Sequence, residues 1–108
     1  MNNNLDDVFV EDVRIIANEL SEFYDELEGK TVLIAGGKGF LGTYFKNVLT
    51  KINQTLSKPT KIIVMDSLIT SKDKNDEKET NVEFVEQDIS QSFEIQNNVD
   101  YIIHAASI

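Results

Sequence analysis

Four glycines within seven residues, Gly36, Gly37, Gly39 and Gly42, and one aspartate further on, Asp66, are the residues of this chain whose types and spacing have chemical use. Gly36 has access to dihedrals that let a chain leave a strand sharply. Gly39 offers a backbone with no Cβ in front of it, and Gly42 lets a helix lie close to the strand that precedes it. The first N–H groups of a helix have no carbonyl partner inside it, and the helix dipole adds partial positive charge at that end. Such a turn suits an anion, and the spacing fits the pyrophosphate of a dinucleotide. Two registers are open: Gly36, Gly39 and Gly42 make GxxGxxG, whereas Gly37, Gly39 and Gly42 make GxGxxG. Both present the same backbone to the phosphate. A mononucleotide P-loop is excluded, because a Gly37-Lys38 pair used as its GK would need glycine where Val32 stands and Ser or Thr where Gly39 stands. The alternative is a tight strand-to-helix connection that binds nothing.

Positioning these residues requires a strand before the glycines and a helix after them. Thr31 to Ala35 is a short β-branched run bounded by polar residues and glycine, as a strand buried on both faces of a parallel sheet would be. Leu41, Phe45, Val48 and Ile52 recur at helical spacing after the turn, with Tyr44 and Leu49 widening the stripe. After a polar connector, Asn53 to Thr60, holding the only proline, Pro59, a second strand is expected at Lys61 to Met65, and it ends on Asp66. An acid at the tip of that strand accepts hydrogen bonds from ribose hydroxyls and repels the 2′-phosphate of NADP, so it favours NAD. The alternative for Asp66 is a turn-forming aspartate. Lys38, a base in the glycine turn, points the other way, and we read it as solvated.

The rest of the chain frames this unit. Residues 1 to 28 carry nine acids against one base, Arg14, which concentrates the net charge of −9 in that segment. Phe9, Val13, Ile16, Leu20, Phe23 and Leu27 alternate steps of four and three, so one helix is expected from about Asp6 to Glu28, capped by Asn4 or Asp6 and stopped by Gly29. We read it as packed on its own domain rather than on a partner. Ser71 to Asn81 lacks apolar residues and reads as a solvated, mobile loop. Val82 to Glu86 reads as a third strand, with Val82, Phe84 and Val85 turned inward. A helical turn is expected around Ser92 to Ile95, and Asp100 to His104 opens a fourth strand whose end, Ala105 and Ala106, leaves room for a ligand. His104 reads as structural.

Composition narrows the classes. The 108 residues suit one domain, here an acidic helix at 1–29 and a nucleotide-binding unit at 30–108. No basic face favours nucleic acid or a membrane surface, and no apolar run is long enough for a membrane span. Without cysteine there is no thiolate metal site or nucleophile, no metal site is expected, and a cytoplasmic location is the default.

Four stretches in order, TVLIAGGKGFLG at 31–42, VMDSL at 64–68, FVEQDI at 84–89 and VDYIIHAAS at 99–107, resemble the N-terminal part of the extended short-chain dehydrogenase/reductase family, the NAD-dependent nucleotide-sugar epimerases and dehydratases. The IIHAAS wording is similar to that of UDP-glucuronate decarboxylase-like and dTDP-glucose dehydratase-like members. The chain departs from the family at Ala35, usually Thr or Ser, and at Ser67, usually Asn. The resemblance implies an α/β fold of Rossmann type, with a parallel sheet in the order 3-2-1-4 and the N-terminal amphipathic helix as an addition.

The resemblance also implies site residues. Gly36, Gly39, Phe40, Leu41 and Gly42 would hold the NAD pyrophosphate, and Asp66 and Ser67 the adenosine ribose. Asp88 and Ile89 would border the adenine, and Ala105, Ala106 and Ser107 would lie along the nicotinamide. Family members use a tyrosine base with a lysine four residues later. Here Tyr24 is followed at that distance by Glu28, Tyr44 by Val48 and Tyr101 by Ala105, so no catalytic residue is assigned. We therefore expect an N-terminal part of such an enzyme, inactive unaided, whose nucleotide-sugar substrate belongs to the full-length parent. The fourth strand would then be an apolar edge, covered by the N-terminal helix or used for self-association. A non-catalytic NAD-binding or interaction module is the competing class.

Overall fold

The computed structural model describes residues 4–74, 80–88 and 98–105, with side chains from Val10 onward. Four strands, β1 (Thr31–Ala35), β2 (Lys61–Asp66), β3 (Val82–Glu86) and β4 (Tyr101–His104), form one sheet in the order β3-β2-β1-β4. Every pairing is parallel. β1 and β2 occupy the centre, and there the residues from Val32 to Ala35 and from Ile62 to Asp66 are buried. β-branched runs without polar alternation suit this position, because both faces are covered. β3 is at one edge, and its Val82, Phe84 and Val85 are only half-buried. The register aligns Ala35 with Met65 and His104, and Asp66 with Glu86. The C-terminal ends of all four strands therefore meet along one rim.

The N-terminal segment is not one helix. It comprises α1 (Asn4–Glu19), a 3-10 turn at Ser21–Phe23 and α2 (Tyr24–Leu27). α1 extends from Asn4, two residues before the expected Asp6. Leu20 (φ −88°, ψ 8°) and Phe23 (φ −102°, ψ 3°) leave helical geometry at the break. A 3-10 turn advances fewer residues per turn than the α-helix, so the apolar stripe loses phase there and Phe23 is exposed. The Tyr24 hydroxyl compensates by donating to the Ala17 carbonyl (2.6 Å), in the last turn of α1. Gly29 then stops the segment at φ 72°, in the left-handed region expected of a helix-ending glycine.

α3 (Phe40–Asn53) connects β1 to β2 and buries Gly42, Val48, Leu49 and Ile52. Val13 and Ala17 of α1 join Val48 and Ile52 in one apolar cluster, so the N-terminal helix packs on α3. Leu41 and Phe45, expected inside, are exposed. They share a stripe with the buried Val48 and Ile52, and Phe45 borders an open groove that it lines with Val32, Val48, Leu49 and Ile103. α4 (Ser71–Lys74) is a single helical turn where a loop was expected, while residues 75–79 and the turn expected around Ser92 to Ile95 lie outside the described residues.

Polar side chains close the seams. Thr60, fully buried at the start of β2, exchanges two hydrogen bonds with the Asn53 amide (2.8 and 2.9 Å) and donates its hydroxyl to the Leu27 carbonyl (2.8 Å). Asp100 binds Thr31 reciprocally: its carboxylate accepts from the Thr31 N–H (2.8 Å), and its own N–H donates to the Thr31 carbonyl (2.9 Å).

Candidate functional site

At the rim, the glycine turn follows β1 at once. Gly36 sits at φ 80°, and the N–H groups of Gly36 and Gly37 both donate to the Met65 carbonyl (2.8 and 3.3 Å). A Cβ on Gly37 would stand 2.4 Å from Val64 Cγ1, and one on Gly42 would stand 2.4 Å from Gly37 Cα and 2.6 Å from the Gly36 carbonyl oxygen. Three of the four glycines are thus demanded by the fold: Gly36 by its dihedrals, Gly37 by the strand beside it, and Gly42 by the turn beneath it. Both registers read from the spacing coexist for this reason. Gly39 differs, since a Cβ there would meet only the Gly36 carbonyl oxygen, at an ordinary 3.6 Å, and its φ of −73° suits any residue.

Gly39 is the N-cap of α3 and brings no side chain to it. The first-turn N–H groups of Phe40, Leu41 and Gly42 have no acceptor within the helix, and no acid stands in that turn to neutralise the dipole. The Phe40 ring is exposed and lies 6.3 Å from that of Tyr44. A helix N-terminus fronted by a bare glycine at the C-terminal rim of a parallel sheet can accept an anion.

Asp66, at the tip of β2, is only 9% exposed. Its Oδ2 accepts the Lys38 N–H (2.9 Å) and its Oδ1 accepts the Leu68 N–H (3.0 Å), so the carboxylate stitches the glycine turn to β2 and the following turn. Spare lone pairs on both oxygens remain for a ligand hydroxyl. Ser67 is exposed beside it.

Lys38 is not simply solvated. Its ammonium pairs with Asp73 Oδ1 at 3.0 Å, with side chains 33% and 19% exposed. Asp73 is itself held by Thr70: the Thr70 N–H donates to Asp73 Oδ2 (3.0 Å), and the Asp73 N–H donates to Thr70 Oγ1 (3.2 Å). The backbone bond from Thr70, followed by the bond from Lys38, lowers the Asp73 carboxyl below the ordinary aspartate value. Sequence reasoning missed this acid. The T-S-K-D spacing at 70–73 is a capping box, and it was the signal available.

The remaining expected residues are dispersed or outside the described set. Asp88 is exposed just past β3, and Ala105 is buried with its N–H on the Ala35 carbonyl (2.8 Å). Ile89, Ala106 and Ser107 lie outside the described residues. His104 is exposed at the end of β4. Burial, with the Asp12 charge second, pushes the Tyr44 phenol above its ordinary value, opposite to the shift a catalytic base needs. Among the described residues no cluster of His, Asp and Glu could hold a metal ion, and no helix is long and apolar enough to cross a membrane. An open apolar groove of about 340 Å³ between α2, α3 and β4 includes Phe23, Val32, Phe45 and Tyr101. Its Val32–Tyr101 register pair stands three residues before the rim, and it presents no set of convergent polar groups.

Compared with models of protein families, residues 32–108 match the one described as the NAD dependent epimerase/dehydratase family. The match begins inside β1 and leaves α1 and α2 outside it. No curated protein and no solved structure matches the chain.

Proposed function

The chain belongs to the NAD-dependent epimerase/dehydratase family, and from that premise we propose that it is the NAD-binding part of an enzyme acting on a nucleotide sugar. The observation that carries this proposal is Gly39. The fold does not require a glycine there, yet a glycine leaves the N-terminus of α3 open to close approach by a pyrophosphate. The residues present fit the cofactor. Gly36, Gly39, Phe40, Leu41 and Gly42 would surround the pyrophosphate, Asp66 and Ser67 would take the adenosine ribose, Asp88 and Ile89 would border the adenine, and Ala105, Ala106 and Ser107 would face the nicotinamide.

Bound NAD would supply a hydride acceptor for a sugar carbon and return the hydride later. This chain's own contribution is to bind and orient the cofactor. It holds no Tyr-x-x-x-Lys pair, so in this proposal the acid–base chemistry is done by residues other than these. The decarboxylase-like and dehydratase-like branches are favoured by the IIHAAS wording at 102–107.

Isothermal titration of the purified chain with NAD tests the proposal. We expect saturable binding that weakens about ten- to a hundredfold in Asp66→Ala, the range for loss of hydrogen bonds to a charged group. Absence of binding at millimolar NAD would overturn it.

A further inference from the structure

The glycine turn from Gly36 to Gly42 contains one cation, Lys38, and the structure ties it at both ends to acids, one at the tip of β2 and one in α4. Its N–H is held by Asp66 at 2.9 Å and its ammonium by Asp73 at 3.0 Å. The first bond fixes Lys38 beside the acid assigned above to the adenosine ribose. A lysine at that place is a natural partner for the 2′-phosphate that distinguishes NADP from NAD.

We propose that Asp73 is a specificity-determining positioning residue, which occupies the Lys38 ammonium and so withholds the turn's only cation from a 2′-phosphate. Discrimination then rests on two acids acting differently. Asp66 repels the extra phosphate at the ribose, and Asp73 removes the attraction that Lys38 would offer. The pair suits this task better than an ordinary surface ion pair. Asp73 is oriented in advance by its two hydrogen bonds with Thr70, so little side-chain freedom is lost in holding Lys38. The neighbouring Lys74 is engaged as well, 3.8 Å from Glu86 of β3.

This inference rests on the turn binding NAD as proposed above, and affinities for both nucleotides separate the two. NAD and NADP are titrated into the wild-type chain, Asp73→Asn, Lys38→Ala and the double variant. Asp73→Asn keeps the shape of the α4 cap while freeing the ammonium. It is expected to raise NADP affinity about fivefold at low salt and to leave NAD affinity within about twofold. The gain should shrink at high salt and vanish in the double variant, which a merely structural role for Asp73 would not produce. Lys38→Ala alone should leave the NADP-to-NAD ratio nearly unchanged, because the paired ammonium contributes nothing to it.

An unchanged ratio in Asp73→Asn with NAD still bound overturns the inference and spares the cofactor assignment. So does a severalfold loss of NADP affinity in Lys38→Ala, which would show that the ammonium is already free for the phosphate. If the wild-type chain binds neither nucleotide, the cofactor assignment falls and this inference falls with it.

Discussion

At the scale of single residues, the four glycines of the turn divide into structural and functional positions, although they share one motif. Alanine at Gly42 would drive a Cβ into backbone at 2.4 and 2.6 Å, with no flexible side chain to give way. Alanine at Gly37 would strike Val64, a central residue of β2 that is fully buried. We expect Gly42→Ala to cost about 2–4 kcal/mol and Gly37→Ala about 1–3 kcal/mol, measured by urea denaturation. Gly39→Ala should cost no more than about 1 kcal/mol, the penalty of a poorer N-cap, while lowering NAD affinity sharply. A Gly39→Ala chain that binds NAD like wild type would remove the observation on which the functional proposal rests. Asp66 spans both categories, since it stitches the turn through two backbone N–H groups and stands where a ribose would be read.

At the scale of elements, the N-terminal segment is joined to the nucleotide-binding unit by two kinds of contact. Apolar packing sets Val13 and Ala17 of α1 on Val48 and Ile52 of α3. A polar knot then ties the end of α2 to the start of β2, through the Thr60 hydroxyl on the Leu27 carbonyl at 2.8 Å. Thr60→Val preserves the volume of this fully buried side chain but leaves the Leu27 carbonyl without that donor. The Leu27 carbonyl keeps the Lys30 N–H (3.1 Å), so the expected loss is about 0.5–1.5 kcal/mol, the net worth of one hydrogen bond. Hydrogen exchange should show it as faster opening around α2, with the β1–β2 ladder less affected. Equal acceleration in the ladder would mean that α2 and the sheet open as one unit. The break at Leu20–Phe23 bears on this too, because a continuous helix would present Phe23 to the core rather than to the groove.

At the scale of the whole molecule, β4 pairs with β1 on one side and has no strand partner on the other among the described residues. The N-terminal segment reaches β4 by a long contact from the Tyr101 hydroxyl to the Glu26 carbonyl (3.4 Å) and by Leu27, which packs against the same cluster as Ile103. These contacts lie over one face of the strand. Ile102 on the opposite face is about half exposed. Open parallel edges of this composition recruit further strands. We therefore expect self-association, seen in light scattering as a mass above 12.2 kDa that rises with concentration and falls in Ile102→Lys. A constant monomer mass over the micromolar to millimolar range would count against an available edge. The acidic N-terminal segment opposes this association through like-charge repulsion, so added salt should strengthen it.

Much of this architecture was legible in the order of the residues. β-branched runs at 31–35, 61–65 and 82–86 marked strands because their period and composition suit a pleated, buried ladder, and the structure places β1 and β3 on those bounds and carries β2 one residue further. The glycine spacing marked the strand-to-helix turn, and Gly29 marked the end of the N-terminal segment. These are local signals, carried by backbone dihedrals and by neighbours a few residues apart. What closure of the fold decided was which of these residues meet. Lys38 and Asp73 are 35 positions apart, and Thr60 and Leu27 are 33 apart, so no periodicity links them. The exposure of Leu41 and Phe45 is likewise absent from their spacing, since Val48 and Ile52 of the same stripe are buried. Local pattern specifies elements because each element satisfies its own backbone, whereas contacts between distant side chains depend on where the sheet brings their elements together.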